Sequence, residues 1–237
     1  MKTTLERILV EYFEGKGPFC GLGFDRSKFL WKIPARREFE VDLCGDAAKD
    51  NVTLRYAFET YWKDNPHRHY ELARWVVKEW GKIPRLSETN IHSFTKRAET
   101  PRNFTPIDNI ASYSKVLSFV FPDRYAIFDA RVSASLNAIQ LLSQTEGDRM
   151  WFPRLPSRNA GIKDFNSSLP DFKGKFQNRS QNSGSEILPD FAYEEYVHHL
   201  RYVKMHVQES RELTWYEMAL FSDAPKLVEL ASIRFRS

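Results

Sequence analysis

Lys115 and Asp129 carry charge inside a stretch that is otherwise apolar. In SKVLSFVFPDRYAIFDARV (114–132), Val116, Leu117, Phe119, Val120 and Phe121 follow the lysine, and Ala126, Ile127 and Phe128 precede the aspartate. Each charge has an ordinary use on its own. A lysine can lay its methylenes on a core and raise its ammonium to water, and an aspartate before a helix caps it. As a pair they suggest chemistry. Desolvation among apolar neighbours favours the neutral amine, a nucleophile near neutral pH. A carboxylate at a helix N-terminus stays ionised, because amide hydrogens and the helix dipole favour its anion. Fixed negative charge of that kind stabilises an oxocarbenium-like sugar, as carboxylates do in glycoside cleavage.

Two helices must position the pair. Ile107, Ile110, Ala111, Ser114 and Leu117 form one stripe, which predicts a helix over 106–121 with Pro106 near its first turn. Phe121-Pro122-Asp123-Arg124 stops it. A short extended piece, 125–128, then leads into a second helix that buries Val132, Leu136 and Ile139. The same spacing predicts helices over 3–14, 52–62, 70–80, 193–203 and around 215–220. Residues 38–43, EFEVDL, alternate and read as a short strand or an extended link. No regular element is expected between Pro84 and Pro106, and 145–189 reads as a long irregular loop rich in Pro, Ser, Asn and Gly. The expected architecture is mostly α and one domain. Its N-terminal part (1–100) and C-terminal part (190–237) pack around a central unit (104–143).

Net charge is +4, and it is concentrated. Between Trp151 and Ser180 six basic residues (Arg154, Arg158, Lys163, Lys173, Lys175 and Arg179) face two acidic ones, Asp164 and Asp171. Such an excess suits an anionic polymer such as DNA. The aromatic side chains of the segment, Trp151 and Phe152 among them, would dock it onto the core or wedge where a base leaves the stack.

Other chemistries lack their signatures. Cys20 and Cys44 are too few for a disulfide framework or a cysteine metal site, and are expected as buried or half-buried thiols. The histidines form no HExxH; His198, His199 and His206 read as a polar helix flank, and no metal is expected. Neither GxxxxGK[ST] nor GxGxxG occurs, so no nucleotide cofactor is expected, and no D-x-E-x-K cluster supports a nuclease. No apolar run reaches the roughly 18 residues of a membrane span. The start, MKTTLERILVEYFEG, lacks the apolar core of a signal peptide. A cytoplasmic monomer is the expectation.

The pattern S-K-x-L-x-F-x-x-P-x-x-x-x-I-x-D-x-R-V resembles the lysine and aspartate region of helix-hairpin-helix DNA glycosylases, more narrowly the 8-oxoguanine-glycosylase-like bacterial proteins. WFPRLPSRN (151–159) and WYEMALF (215–221) also resemble segments of that family in matching order, so the resemblance covers roughly residues 100–221. It implies a two-lobed helical fold with a cleft. Lys115 would attack C1′ of a flipped nucleotide and form a Schiff base, and Asp129 would assist loss of the base. The family's hairpin carries a glycine turn that grips a DNA phosphate; the equivalent stretch here, FTPIDNIASYSK (104–115), has no glycine. The basic segment would then hold phosphates, with Arg131 contacting phosphate or supporting Asp129.

Trp215 and Glu217 would face the base pocket. The implied partner is DNA with a modified base, either a hypermodified phage pyrimidine such as glucosylated hydroxymethylcytosine or an oxidised purine. A non-catalytic helical DNA-binding protein is the competing expectation.

Overall fold

The computed structural model describes residues 3–23, 25–35, 39–100, 109–180 and 184–236. Pro106 and the start of the expected hairpin (101–108) lie outside the described residues, as does the side chain of Arg179. The chain is mostly helical, at 67%. No described helix is long and apolar enough to cross a membrane.

Helix α1 (Thr4–Phe13) opens on a capping box, in which Thr3 Oγ1 accepts from the Glu6 amide and the Glu6 carboxylate accepts from the Thr3 amide. Asp46 caps α2 (Ala47–Asp64). Helix α3 (His69–Trp75) runs into one π-helical turn, Val76–Trp80, whose end is marked by Gly81 N–H donating to the Val76 carbonyl five residues back. Next come α4 (Glu88–Glu99), α5 (Ile110–Val120) and α6 (Ala130–Leu142). The remainder is β1 (Arg149–Trp151), α7 (Ala160–Ser180), β2 (Gly184–Glu186), α8 (Pro189–His206) and α9 (Leu213–Arg236), with β1 and β2 paired in parallel.

The helices pack in two groups. One joins α2, α3, the π turn, α4 and α5; the other joins α1, α6, α7, α8, α9 and β1. Helix α6 is the axis of the second group, and Arg131 alone of its residues is not buried. Its polar side chains serve neighbouring backbone. Asn137 exchanges two hydrogen bonds with Phe152 (3.0 and 2.9 Å), and Gln140 exchanges two with Met150 (2.7 and 2.9 Å). Two amide side chains on one helical face thus stand in for a neighbouring strand, and buried backbone groups need such partners.

That arrangement corrects several expectations. Trp151 and Phe152 are 1% and 0% exposed, so the pairing with α6 holds them in the core and neither can wedge into DNA. A Cβ on Gly184 would overlap the Trp151 indole, so glycine is required where β2 crosses it. The stretch 145–189 is no irregular loop, because the 21-residue helix α7 runs through it and β1 and β2 flank that helix. Ile162, Phe165, Leu169, Phe172 and Phe176 recur at alternating steps of three and four and are all buried. Asn159 caps this helix through Oδ1, which accepts from Ile162 N–H at 3.0 Å.

Helix α4 fills the span expected to be irregular, and it buries Ile91, Phe94 and Ala98. The described part of 38–43, residues 39–43, carries no regular element and pairs with no strand. Both cysteines are exposed, against the expectation of buried thiols.

Candidate active site

The junction of the two helix groups forms a narrow cleft of about 30 Å³, lined by Phe29, Trp31, Trp80, Lys115, Ile127, Asp129, Val132, Glu217 and Phe221. Lys115 comes from α5 and Trp80 from the π turn. Asp129 and Val132 come from the start of α6, and Glu217 and Phe221 from α9. Phe29 and Trp31 arrive on the extended segment after α1. That segment is tied down at both ends. Asp223 accepts from Tyr12 Oη (2.9 Å), Gly23 N–H (2.8 Å) and Lys28 Nζ (3.3 Å). Asn51 donates to the Trp31 carbonyl (3.0 Å), and Trp31 Nε1 donates to the Trp80 carbonyl (3.1 Å).

Lys115 is 7% exposed, and burial pushes its amine below the ordinary lysine range. The Asp129 and Glu217 carboxylates oppose that shift, and Arg55 adds to it. Nζ donates to the Ala111 carbonyl one turn back, at 2.6 Å. Gly81 gives the stem its space: a Cβ there would stand 3.0 Å from Lys115 Cδ and closer still to two backbone carbonyls.

Asp129 caps α6 with one oxygen only. Oδ1 accepts from Arg131 N–H (2.9 Å) and Val132 N–H (3.1 Å), and among the described residues nothing donates to Oδ2. One oxygen anchors the carboxylate while the other is left for the cleft. The linker is held in turn by Ser114 on α5, whose Oγ accepts from Phe128 N–H at 3.0 Å.

Because asparagine caps as well as aspartate, Asp129→Asn is expected to leave the melting temperature almost unchanged. If the cleft carries the base release that the sequence resemblance implies, that release is expected to fall by about two to three orders of magnitude, the usual loss when a transition-state charge loses its fixed partner. Release within threefold of wild type would remove Asp129 from the chemistry.

Glu217 is in the cleft wall but is fully engaged. Its two oxygens form a bidentate pair with Arg55 (2.8 Å each), and Oε2 also accepts from Ile127 N–H at 2.7 Å. Arg55 is fully buried, its guanidinium carbon 5.7 Å from the Trp80 ring centroid and 5.4 Å from that of Phe119. Glu217 is therefore a positioning residue for the 125–129 linker. Trp215 does not reach the cleft; it lines a separate surface cavity with Phe13, Arg211 and Tyr216.

Two cations stand at the cleft walls. The Arg131 guanidinium lies 4.4 Å from the Phe221 ring centroid, and Lys82 Nζ lies 4.6 Å from that of Trp31. Neither forms an ion pair among the described residues. Lys82 was not legible in the sequence, since it lies at the end of a helix with nothing to link it to Trp31. Of the basic segment, Arg154, Arg158, Lys163 and Lys175 are exposed. Lys173 pairs with Glu186 and covers Trp151. Lys175 donates to the Phe235 carbonyl at 2.6 Å, so it caps α9. Lys173 and Lys175 are thus committed within the fold, and Arg154 donates to the Asn166 carbonyl at 3.2 Å, which leaves Arg158 and Lys163 as the uncommitted cations of that segment among the described residues.

No family model, curated protein or solved structure matches this chain.

Proposed function

We propose that this protein is a DNA glycosylase whose Lys115 cleft, narrow as it stands, opens between its ring walls to take a flipped modified base and cleaves that base's N-glycosidic bond. The observation that carries the reading is a desolvated amine and a half-anchored carboxylate meeting in one ring-walled cleft. Extruding a base costs about a few kcal/mol, and stacking on aromatic rings returns about 1–3 kcal/mol per base. Phe29, Trp31, Trp80 and Phe221 supply those rings, and Arg131 and Lys82 supply cations for the flanking phosphates.

The base leaves with the electron pair of its glycosidic bond as positive charge develops on the sugar. The free Oδ2 of Asp129 stabilises that charge. The Lys115 amine, in its unprotonated form, makes the Nζ–C1′ bond and gives up a proton, for which the free Oδ2 of Asp129 in the same cleft is the acceptor. The nitrogen lone pair then expels O4′, which takes the proton held on Asp129, and cleavage of C1′–O4′ opens the sugar ring to the protonated imine. The substrate class is a modified base, a hypermodified pyrimidine or an oxidised purine.

Borohydride trapping on a panel of damaged and phage-modified DNAs, with mass spectrometry of the released bases, tests the proposal. A released base together with a reduced protein–DNA adduct supports it. Salt-sensitive DNA binding without either product, across the whole panel, would favour a non-catalytic DNA-binding role instead.

A further inference from the structure

We propose that Glu6, His198 and His199 form a zinc-binding site that ties α1 to α8. Spacing alone places these histidines on a polar helix flank, but His199 is 2% exposed and neither of its ring nitrogens has a hydrogen-bond partner. A buried imidazole without partners is costly, and an ion is one of the few things that satisfies it.

The three side chains converge without bonding one another. Glu6 Oε1 lies 3.7 Å from His198 Nε2 and 3.7 Å from His199 Nδ1, too far for hydrogen bonds. Its other oxygen is occupied by the Thr3 amide at 2.8 Å, so the capping box fixes the direction in which Oε1 points. All three donor atoms lie within 4.8 Å of one another. Ligand atoms around a tetrahedral zinc stand about 3.3–3.5 Å apart, given bonds of about 2.0–2.2 Å. Rotation of the exposed His198 ring brings its nitrogen in, and a shift of a few tenths of an ångström between Glu6 and His199 closes the rest.

The donor set identifies the ion. Two imidazole nitrogens and one carboxylate oxygen suit zinc, whereas magnesium and calcium take oxygen ligands. Behind His199, Glu195 Oε2 lies 3.6 Å from Nε2, where a second carboxylate orients a metal-bound imidazole. The side chain of His198 is 68% exposed, so solvent completes the coordination on that face. None of the three residues lines the Lys115 cleft, and the site stands or falls independently of the glycosylase reading.

The test uses untagged full-length protein stripped with EDTA, titrated with zinc chloride by calorimetry and followed by thermal melting. One zinc per chain is expected, with micromolar or tighter affinity and a melting temperature raised by several degrees under excess metal. His198→Ala is the decisive variant because an exposed side chain contributes little to folding. It is expected to weaken zinc at least about tenfold while leaving the metal-free melting temperature unchanged. His199→Ala is expected to abolish binding; if that variant fails to fold, His198→Ala decides alone. No saturable binding below about 100 µM, or an affinity within twofold of wild type in His198→Ala, would overturn the proposal.

Discussion

Lys115→Met is expected to abolish the borohydride-trapped adduct and to lower base release by on the order of a thousandfold or more, while DNA binding persists. The same variant is expected to be more stable than wild type at neutral pH. Methionine fills similar volume with no charge to desolvate, and relief of a poorly solvated buried group is worth roughly 1–3 kcal/mol. The sign of the pH dependence follows from the depressed amine. Between its folded value and the ordinary lysine value, the unfolded chain binds more protons than the folded one, so wild-type stability rises with pH across that window. The stability gap between variant and wild type should therefore narrow as pH climbs toward the ordinary lysine range. Denaturant melts at neutral and alkaline pH, run beside the trapping assay, check both halves. An adduct in the methionine variant would move the nucleophile elsewhere, and a variant less stable at every pH would mean that the amine is not a burden on the fold.

Glu217→Ala is expected to be the most destabilising single change in the cleft, at about 3–5 kcal/mol. It strands the fully buried Arg55 guanidinium between two rings and leaves Ile127 N–H without its acceptor. For a domain of this size that loss corresponds to roughly 6–20 °C in melting temperature. Replacing both partners with leucine should recover most of it, because no charge is then left unpaired. A single variant that melts within about 2 °C of wild type would mean that the buried pair contributes little. The double variant also separates folding from chemistry. If it folds but releases base slowly, the pair serves to hold the linker that carries Asp129.

Lys115 and Asp129 were legible because the elements bearing them are consecutive, so local pattern alone brought them close. Arg55 and Glu217 were not, since 162 residues separate them and an isolated charge in a helical stripe does not announce its partner. The cleft walls were hidden for another reason. Phe29 and Trp31 sit on extended chain, where no periodicity tells an inward ring from an outward one. Helix α7 is the opposite case: its stripe from Ile162 to Phe176 was present, but glycine, proline and serine between the apolar positions outweighed it. Composition is a weaker guide than spacing when tertiary packing supplies the helix with its stability. Trp151 and Phe152 were misplaced because nothing local shows that Asn137 and Gln140 would clasp their backbone.

The π turn sets the facing of the cleft wall. Gly81 N–H reaches the Val76 carbonyl five residues back, so Gly81 stands where an α-helix would place the residue before it. An α-helix advances about 100° per residue. Were the turn to tighten to an ordinary α-helix at unchanged length, Trp80 would swing about 100° around the axis, away from Phe119 and the cleft. The glycine against the Lys115 stem would move with it. Removing one residue from the turn as it tightens would bring both back, so the wall of the cleft and the room for its amine tolerate a one-residue deletion here better than a change of pitch.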